Sequence, residues 1–175
     1  MLKFSILPLL LATAVTTVLA DGASIFNALQ TIQNATLKLQ SSVGSWDGGL
    51  LGTLPIVAES AQLLADIKKG QKVAEQSAPL SVLEAITVAQ ETMALATGVN
   101  QTLTTIISAK PKFDRLLLVS PVILLNLEME KSATDDMSAA IIDKVPADLQ
   151  VTAKQLVAPI DDSFNEAIAV YQHGI

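Results

Sequence analysis

Ile25, Leu29, Ile32, Thr36, Leu39 and Val43 follow one another at intervals of 4, 3, 4, 3 and 4 residues. That spacing returns to one stripe of an α-helix and to neither face of a β-strand, so it predicts a helix from about Ala23 to Val43. A stripe of this length has to be buried against something, and the rest of the chain offers more helices. Ser45-Trp46-Asp47-Gly48-Gly49 is turn chemistry, after which Thr53 and Pro55 provide an N-cap region and a proline suited to a first helical turn. A second helix follows to about Ala74, with a stripe of Leu54, Val57, Ala61 and Leu64 and a second ridge of Ile56, Leu63 and Ile67. Apolar over so wide an arc, it is expected to contact neighbours on two sides.

Ser81-Val82-Leu83-Glu84 reads as a capping box at the start of a third helix. Its expected stripe is Val82, Ile86, Ala89, Met93 and Ala96; the face drifts through Leu103, Ile106 and Ile107, and Lys110-Pro111 ends the helix. Ser120-Pro121 then interrupts any helix, and Val122 to Lys131 resumes the pattern. The run from Leu116 to Leu125 is too short to cross a membrane and is expected to line a buried core or cavity. Beyond Lys144-Val145-Pro146 a last helix carries Leu149, Ala153, Leu156, Ile160, Phe164, Ala167 and Tyr171 on one face, kinked or broken near Pro159. The fold expected is all-α: one compact bundle of about five or six helices, some kinked at prolines, over residues 21–175. No repeat unit of solenoid length recurs.

Composition narrows the chemistry. Leucine and alanine account for 41 of residues 21–175, whereas tyrosine and tryptophan occur once each, which favours helix over strand. A net charge of −6 with 3% aromatic residues lacks the basic field and the stacking surface that nucleic acid requires. The chain has no cysteine, and its single histidine is His173, so thiol chemistry, His/Cys metal cages and His-based triads lack their parts. No nucleophile and base pair is available, so an enzyme is not expected, nor is a cofactor.

Residues 1–20 have the layout of a secretory signal peptide: Lys3 in a short n-region, an apolar run from Phe4 to Leu11, and Val18-Leu19-Ala20 as a small-residue cleavage site. The processed chain then starts at Asp21, is secreted, and has neither a transmembrane anchor nor a lipid-anchor signal at its C-terminus. Secretion exposes two acceptor sequons, Asn34-Ala35-Thr36 and Asn100-Gln101-Thr102, to glycosylation. Asn34 lies opposite the first helix's stripe and is expected to carry a glycan. Asn100 lies in line with the Val82 stripe and is exposed only if that face drifts.

Asp135-Asp136 and Asp161-Asp162 are the adjacent carboxylate pairs. A calcium loop needs more oxygens on a turning backbone, and helix ends attract acids in any case. Lys68, Lys69 and Lys72 read as a solvated helix end. Trp46 reads as a plug over the bundle end, with a carbohydrate or surface contact as the alternative. The apolar excess is either all core or the wall of a ligand site, since short helices, few aromatics and adaptable Met93 and Met129 can leave a cavity between helices.

The layout of the C-terminal half carries a resemblance. Lys110-Pro111-Lys112-Phe113, then Val122 to Leu127, then Ala140-Ile141-Ile142-Asp143-Lys144-Val145-Pro146-Ala147-Asp148-Leu149, and finally Ala153, Leu156, Ile160 and Ala167 to Tyr171 are similar to the fungal hydrophobic surface-binding protein A and cell-wall galactomannoprotein family. The resemblance implies a secreted, glycosylated, non-enzymatic protein of the medium or the cell wall. Some such proteins look like carriers of a fatty acid or another apolar ligand. Others resemble proteins that coat hydrophobic surfaces and recruit a secreted polyester hydrolase. The chain lacks the Ser/Thr-rich stalk of larger wall-anchored members. From its own apolar faces, the expected ligand wall is Ile86, Met93, Leu116, Leu117, Leu124, Leu127, Ile160 and Phe164, with a carboxylate head near a helix N-terminus, a hydroxyl or solvent.

Overall fold

The computed structural model describes residues 20–173, so the signal-peptide reading lies almost wholly outside the described residues. Five α-helices run through the described residues: α1 (Ala20–Ser45), α2 (Thr53–Gln76), α3 (Val82–Asp114), α4 (Val119–Lys144) and α5 (Gln150–Gln172). Short 3-10 turns at Leu50–Gly52 and Ala147–Leu149 lead into α2 and α5. The helices close into a ring: α1 lies against α2, α2 against α4, α4 against α5, α5 against α3, and α3 against α1. Helices α1, α3 and α5 run one way and α2 and α4 the other. The stripe Ile25, Leu29, Ile32, Thr36, Leu39 and Val43 is buried throughout, as its spacing requires.

One end of the ring is sealed by the lone tryptophan. Trp46 stacks on Phe113 with ring centroids 4.3 Å apart, its indole N–H donates to Gly49 O at 2.8 Å, and Lys112 Nζ donates to Trp46 O at 2.7 Å. Gly48 has φ +100°, and a Cβ on Gly52 would lie 2.6 Å from the indole, so this turn needs glycine at both places. Tyr171 ends α5 at the same level, its hydroxyl donating to Ile106 O at 2.8 Å. Lys110 lies 5.3 Å from the Tyr171 ring centroid and pairs with Asp114 at 2.8 Å. At the opposite end, Leu80 N donates to Lys144 O at 2.7 Å. There the capping box forms as expected, Ser81 Oγ accepting from Glu84 N and the Glu84 side chain accepting from Ser81 N.

Several expectations need correction. In α2 the buried ridge is Ile56, Leu63 and Ile67, continued by Ser60, Gly70 and Ala74, whereas Leu54, Val57 and Ala61 face solvent. The stretch Leu50–Gln76 has the length and hydropathy of a membrane span, but here its second ridge is spent in the ring. In α3 the buried face is Ala85, Val88, Thr92, Leu95, Val99 and Ile106, while Val82, Ile86 and Met93 are about half exposed. The prolines do not end the helices. Pro111 sits inside the last turn of α3, Pro121 lies in the first turn of α4, where its missing N–H would have no partner anyway, and α5 continues across Pro159. The run Leu116 to Leu125 is not a buried wall either: Leu117, Leu118, Val122 and Leu125 are exposed at the α3–α4 turn.

Candidate functional site

The ring encloses a cavity of about 180 Å³. Its walls come from all five helices: Leu29, Ile32, Thr36 and Leu39 of α1; Leu63 and Ile67 of α2; Val88, Thr92, Leu95, Val99, Leu103 and Ile106 among those of α3; Glu130, Thr134, Met137, Ile141 and Ile142 of α4; Ala153, Leu156, Val157, Ile160 and Phe164 of α5. These are the inward stripes already described. Five helices around one axis leave a gap that medium-sized aliphatic side chains do not fill. The opening lies toward the capping-box end between α3 and α5, where the wall residues Ile86 and Thr152 are exposed and Leu149, Ala153 and Leu156 are half-buried. On the outside of the α4–α5 seam lies a more polar groove with Asp135, Asp143, Lys154 and Asp161; it shares Thr134, Ser138, Ile142, Val157 and Ile160 with the cavity, so the partition between them is one side chain thick.

Besides Ser138 and the exposed Thr152, polar groups in the wall fall into two sets. Thr92, Thr102 and Thr134 donate their hydroxyls to the backbone carbonyls of Val88, Gly98 and Glu130, at 2.9, 2.8 and 2.7 Å, and are committed. Thr36 and Glu130 are not. Thr36 is 2% exposed and its hydroxyl has no hydrogen-bond partner. Glu130 is 2% exposed as well, and one side chain serves it, Ser60, whose hydroxyl donates to Oε1 at 2.7 Å. Burial pushes the Glu130 carboxyl up to about 7, against the smaller opposing effect of the Ser60 hydrogen bond. Cross-ring ties place the two residues at one level: Lys38 pairs with Glu59 at 3.5 Å, Thr102 donates to Thr36 O at 3.3 Å, and Ser60 reaches Glu130. That level lies inward from the Ile86 opening, with Leu39, Leu103 and Ile106 lining the cavity beyond it.

Of the residues expected to line a ligand site, Ile86, Ile160 and Phe164 lie in the cavity wall. The others do not. Met93 is half exposed, Leu117 is 87% exposed, and Leu116 and Leu124 are partly buried against the core outside the cavity. Leu127 is fully buried, packed with the core but not on the cavity. These positions come from an α4 that starts earlier and an α3 face rotated from the one expected. Sequence reasoning missed Thr36 and Glu130 as site residues. The signal existed: Thr36 stands within an otherwise apolar stripe, and Glu130 follows Ile123 and Leu127 at helical spacing on a buried face.

The carboxylate pairs have an electrostatic role instead. Lys131 of α4 pairs with Asp135 at 2.9 Å and also with Asp161 of α5, tying the seam. No cluster of metal-ligating side chains occurs among the described residues. Asn34 lies on the solvent side of α1, and Asn100 is exposed too, but its amide donates to Ser163 Oγ of α5 at 3.1 Å.

An all-helical ring around an apolar cavity with a few polar groups at one depth has the architecture of a small-ligand site. The sequence model of the hydrophobic surface binding protein A family matches residues 22–143, and the chain belongs to that family. It is similar to cell wall mannoprotein 1 of Aspergillus flavus, 28% identical over 165 residues that make up 93% of this chain and 59% of the relative. Cell wall mannoprotein 1 of Aspergillus fumigatus is 26% identical, with 92% of this chain and 56% of the relative covered. The chain thus spans less than two thirds of the length of the curated relatives it matches. Among solved structures it is similar to AFMP4P in complex with palmitic acid, with a TM-score of 0.82, 29% identity, and 86% of this chain and 99% of that chain covered. Ligand binding domain 1 of the Penicillium marneffei MP1 protein, complexed with arachidonic acids, has the same fold at a TM-score of 0.82 and 18% identity, with 86% and 98% covered.

Proposed function

We propose that this protein is a secreted, non-enzymatic carrier that holds a long-chain apolar ligand, such as a fatty acid, in the cavity of its helical ring. The carrying observation is the cavity itself, walled by aliphatic stripes from every helix. The likeness to a protein solved with palmitic acid supports the ligand class, and the likeness to cell wall mannoproteins supports an extracellular or wall-associated site of action. Burial supplies the affinity. At about 0.8 kcal/mol per methylene, a sixteen-carbon chain offers on the order of 10 kcal/mol before ordering and association costs, enough for micromolar binding.

The cavity is small for such a guest. An aliphatic cavity of about 150 Å³ takes one benzene, so about 180 Å³ holds only part of a sixteen-carbon chain at rest. The remainder has to occupy the α3–α5 opening or part the thin α4–α5 seam. Native mass spectrometry of the protein secreted by its host, beside an organic extract of the same sample, tests the reading. A stoichiometric lipid, or uptake of one on incubation with palmitate, is expected; an apo mass unchanged by fatty acids would make the cavity a packing gap. Asn34, on the open face of α1, is proposed as a glycosylation site, and Asn100, tied to α5, as a poorer one.

A second reading rests on a different part of the molecule. Leu50 and Leu51 in the turn before α2, Leu54 at its start, and Leu117, Leu118 and Leu125 around the α3–α4 turn are each more than half exposed at the tryptophan-sealed end. This leucine end suits adsorption to a hydrophobic solid, where recruitment of a secreted hydrolase would also belong. Replacing Leu51, Leu117 and Leu118 by serine is expected to cut adsorption to polystyrene or polyester at least severalfold while leaving lipid uptake unchanged. Equal adsorption by the variant would remove this reading.

A further inference from the structure

The inner part of the cavity carries chemistry that an apolar tail does not use. Of the polar side chains in the wall, Thr92, Thr102 and Thr134 are already bonded to backbone carbonyls. Thr36 keeps a buried hydroxyl with no partner. Glu130 keeps a carboxyl held by Ser60 alone. An unpartnered or under-bonded polar group in an apolar wall is costly, and a guest that satisfies it recovers part of that cost. A methyl group at this depth recovers none. A carboxylate head offers acceptors only, and it would stand beside the Glu130 carboxyl. A hydroxyl head both donates and accepts, so it can donate to the Glu130 carboxyl and accept from Thr36.

We propose that Thr36 and Glu130 form a polar-head subsite in the inner part of the cavity that selects uncharged, hydroxyl-bearing ligands, long-chain primary alcohols, over fatty-acid anions, with the alkyl chain trailing toward the Ile86 opening. This rests on the carrier reading and adds to it the class of head group. Nothing on the neighbouring helices supplies a compensating positive charge. On α2 the flanking Glu59 is engaged with Lys38 of α1, on α5 Asp161 is engaged with Lys131 of α4, and the partner that faces Glu130 is the neutral Ser60. A fatty acid is therefore accepted in this orientation only where one proton is shared between its carboxyl and that of Glu130. Its affinity falls as pH rises above neutrality, while that of an alcohol does not.

Titrating the full secreted chain with 1-dodecanol and with dodecanoate, at pH 5.5 and pH 8.5, tests the proposal. In the wild type, dodecanol is expected to bind equally at both pH values, and dodecanoate about tenfold or more weaker at pH 8.5. Glu130→Gln removes the charge and keeps an acceptor for Ser60, so dodecanoate binding at pH 8.5 should recover about tenfold with dodecanol changed less than threefold. Thr36→Val deletes the hydroxyl without changing shape, so dodecanol should weaken about fivefold while dodecanoate at pH 8.5 does not. Where both ligands bind but Glu130→Gln and Thr36→Val leave their ratio unaltered, the head group lies elsewhere and the subsite is wrong. Where neither ligand binds the wild type, the carrier reading falls with it. If Glu130→Gln does not fold, the Thr36→Val result decides alone.

Discussion

Leu117 is the only non-glycine residue with positive φ among the described residues, at 38°, and it is 87% exposed. A leucine in the left-handed region costs on the order of 1–2 kcal/mol, and in that position its side chain buries nothing in return. Asparagine tolerates this conformation, so Leu117→Asn is expected to raise stability by about 1 kcal/mol, read as a higher urea midpoint at unchanged slope. An unchanged or lower midpoint would mean that the turn relaxes in solution. A strained, exposed leucine beside Leu118 is also what a surface-adsorbing end would retain against stability, so the same variant should adsorb less. Trp46 shows the opposite economy: its ring is buried on Phe113 and its N–H is satisfied by Gly49. The Ser-Trp-Asp-Gly-Gly turn marked the place in sequence and left a plug and a surface contact open for Trp46; the need for glycine at Gly52, beyond that turn, shows only in the packing.

At the scale of helices, the amphipathic stripes of α1 and α5 were legible residue by residue, since each packs on two neighbours with one continuous apolar face. Leu149 in the turn before α5 and Ala153, Leu156, Ile160 and Phe164 of α5 all reach the cavity wall, and Ala167 and Tyr171 close the core above it. Helices α2 and α3 misled for a physical reason. Each carries two apolar ridges, and spacing alone does not say which one turns inward; in α2 it is the ridge that includes Ser60 and Gly70, the less hydrophobic choice at those positions. Gly70 is explained by close approach, since a Cβ there would meet Met137 Cε at 2.8 Å. The prolines misled through position. A proline breaks a helix through the bond it cannot donate, which matters little at Pro121 in a first turn and affects one bond near the end of α3 at Pro111. With α4 starting at Val119, the leucine run that looked like cavity wall becomes a turn and its exposed shoulder. Of the eight expected wall residues, Ile86, Ile160 and Phe164 reach the cavity, and Met93, Leu116, Leu117, Leu124 and Leu127 lie elsewhere.

For the whole molecule, the buried carboxyl at the centre of the ring sets how stability responds to pH. In the folded chain Glu130 releases its proton at about 7, against an ordinary value of 4.5. Between those values the native state holds a proton that the unfolded chain has lost, so stability falls as pH rises across that window, by about 3 kcal/mol at 1.36 kcal/mol per unit. The contribution is fully present below pH 4.5 and gone above pH 7. Asp114 and Asp161 act in the other sense: hydrogen bonds from Lys110 and Ser120, and from Lys131, hold them below the ordinary carboxylate value. Their stabilisation is present above 3.8 and is lost as pH falls through their lowered values. Both side chains are more than 40% exposed, so screening keeps that contribution small. The two trends together put the stability maximum between roughly pH 4 and 5, an acidic optimum for an acidic protein. Urea unfolding at pH 4.5, 6 and 8 should show the wild type losing about 3 kcal/mol toward pH 8 and Glu130→Gln nearly flat over that range. If Glu130→Gln declines as steeply as the wild type, water reaches the carboxyl and the centre of the ring is wetter than its aliphatic lining implies. That outcome would also weaken the head-group subsite, because a hydrated Glu130 has no unmet hydrogen bond to offer a ligand.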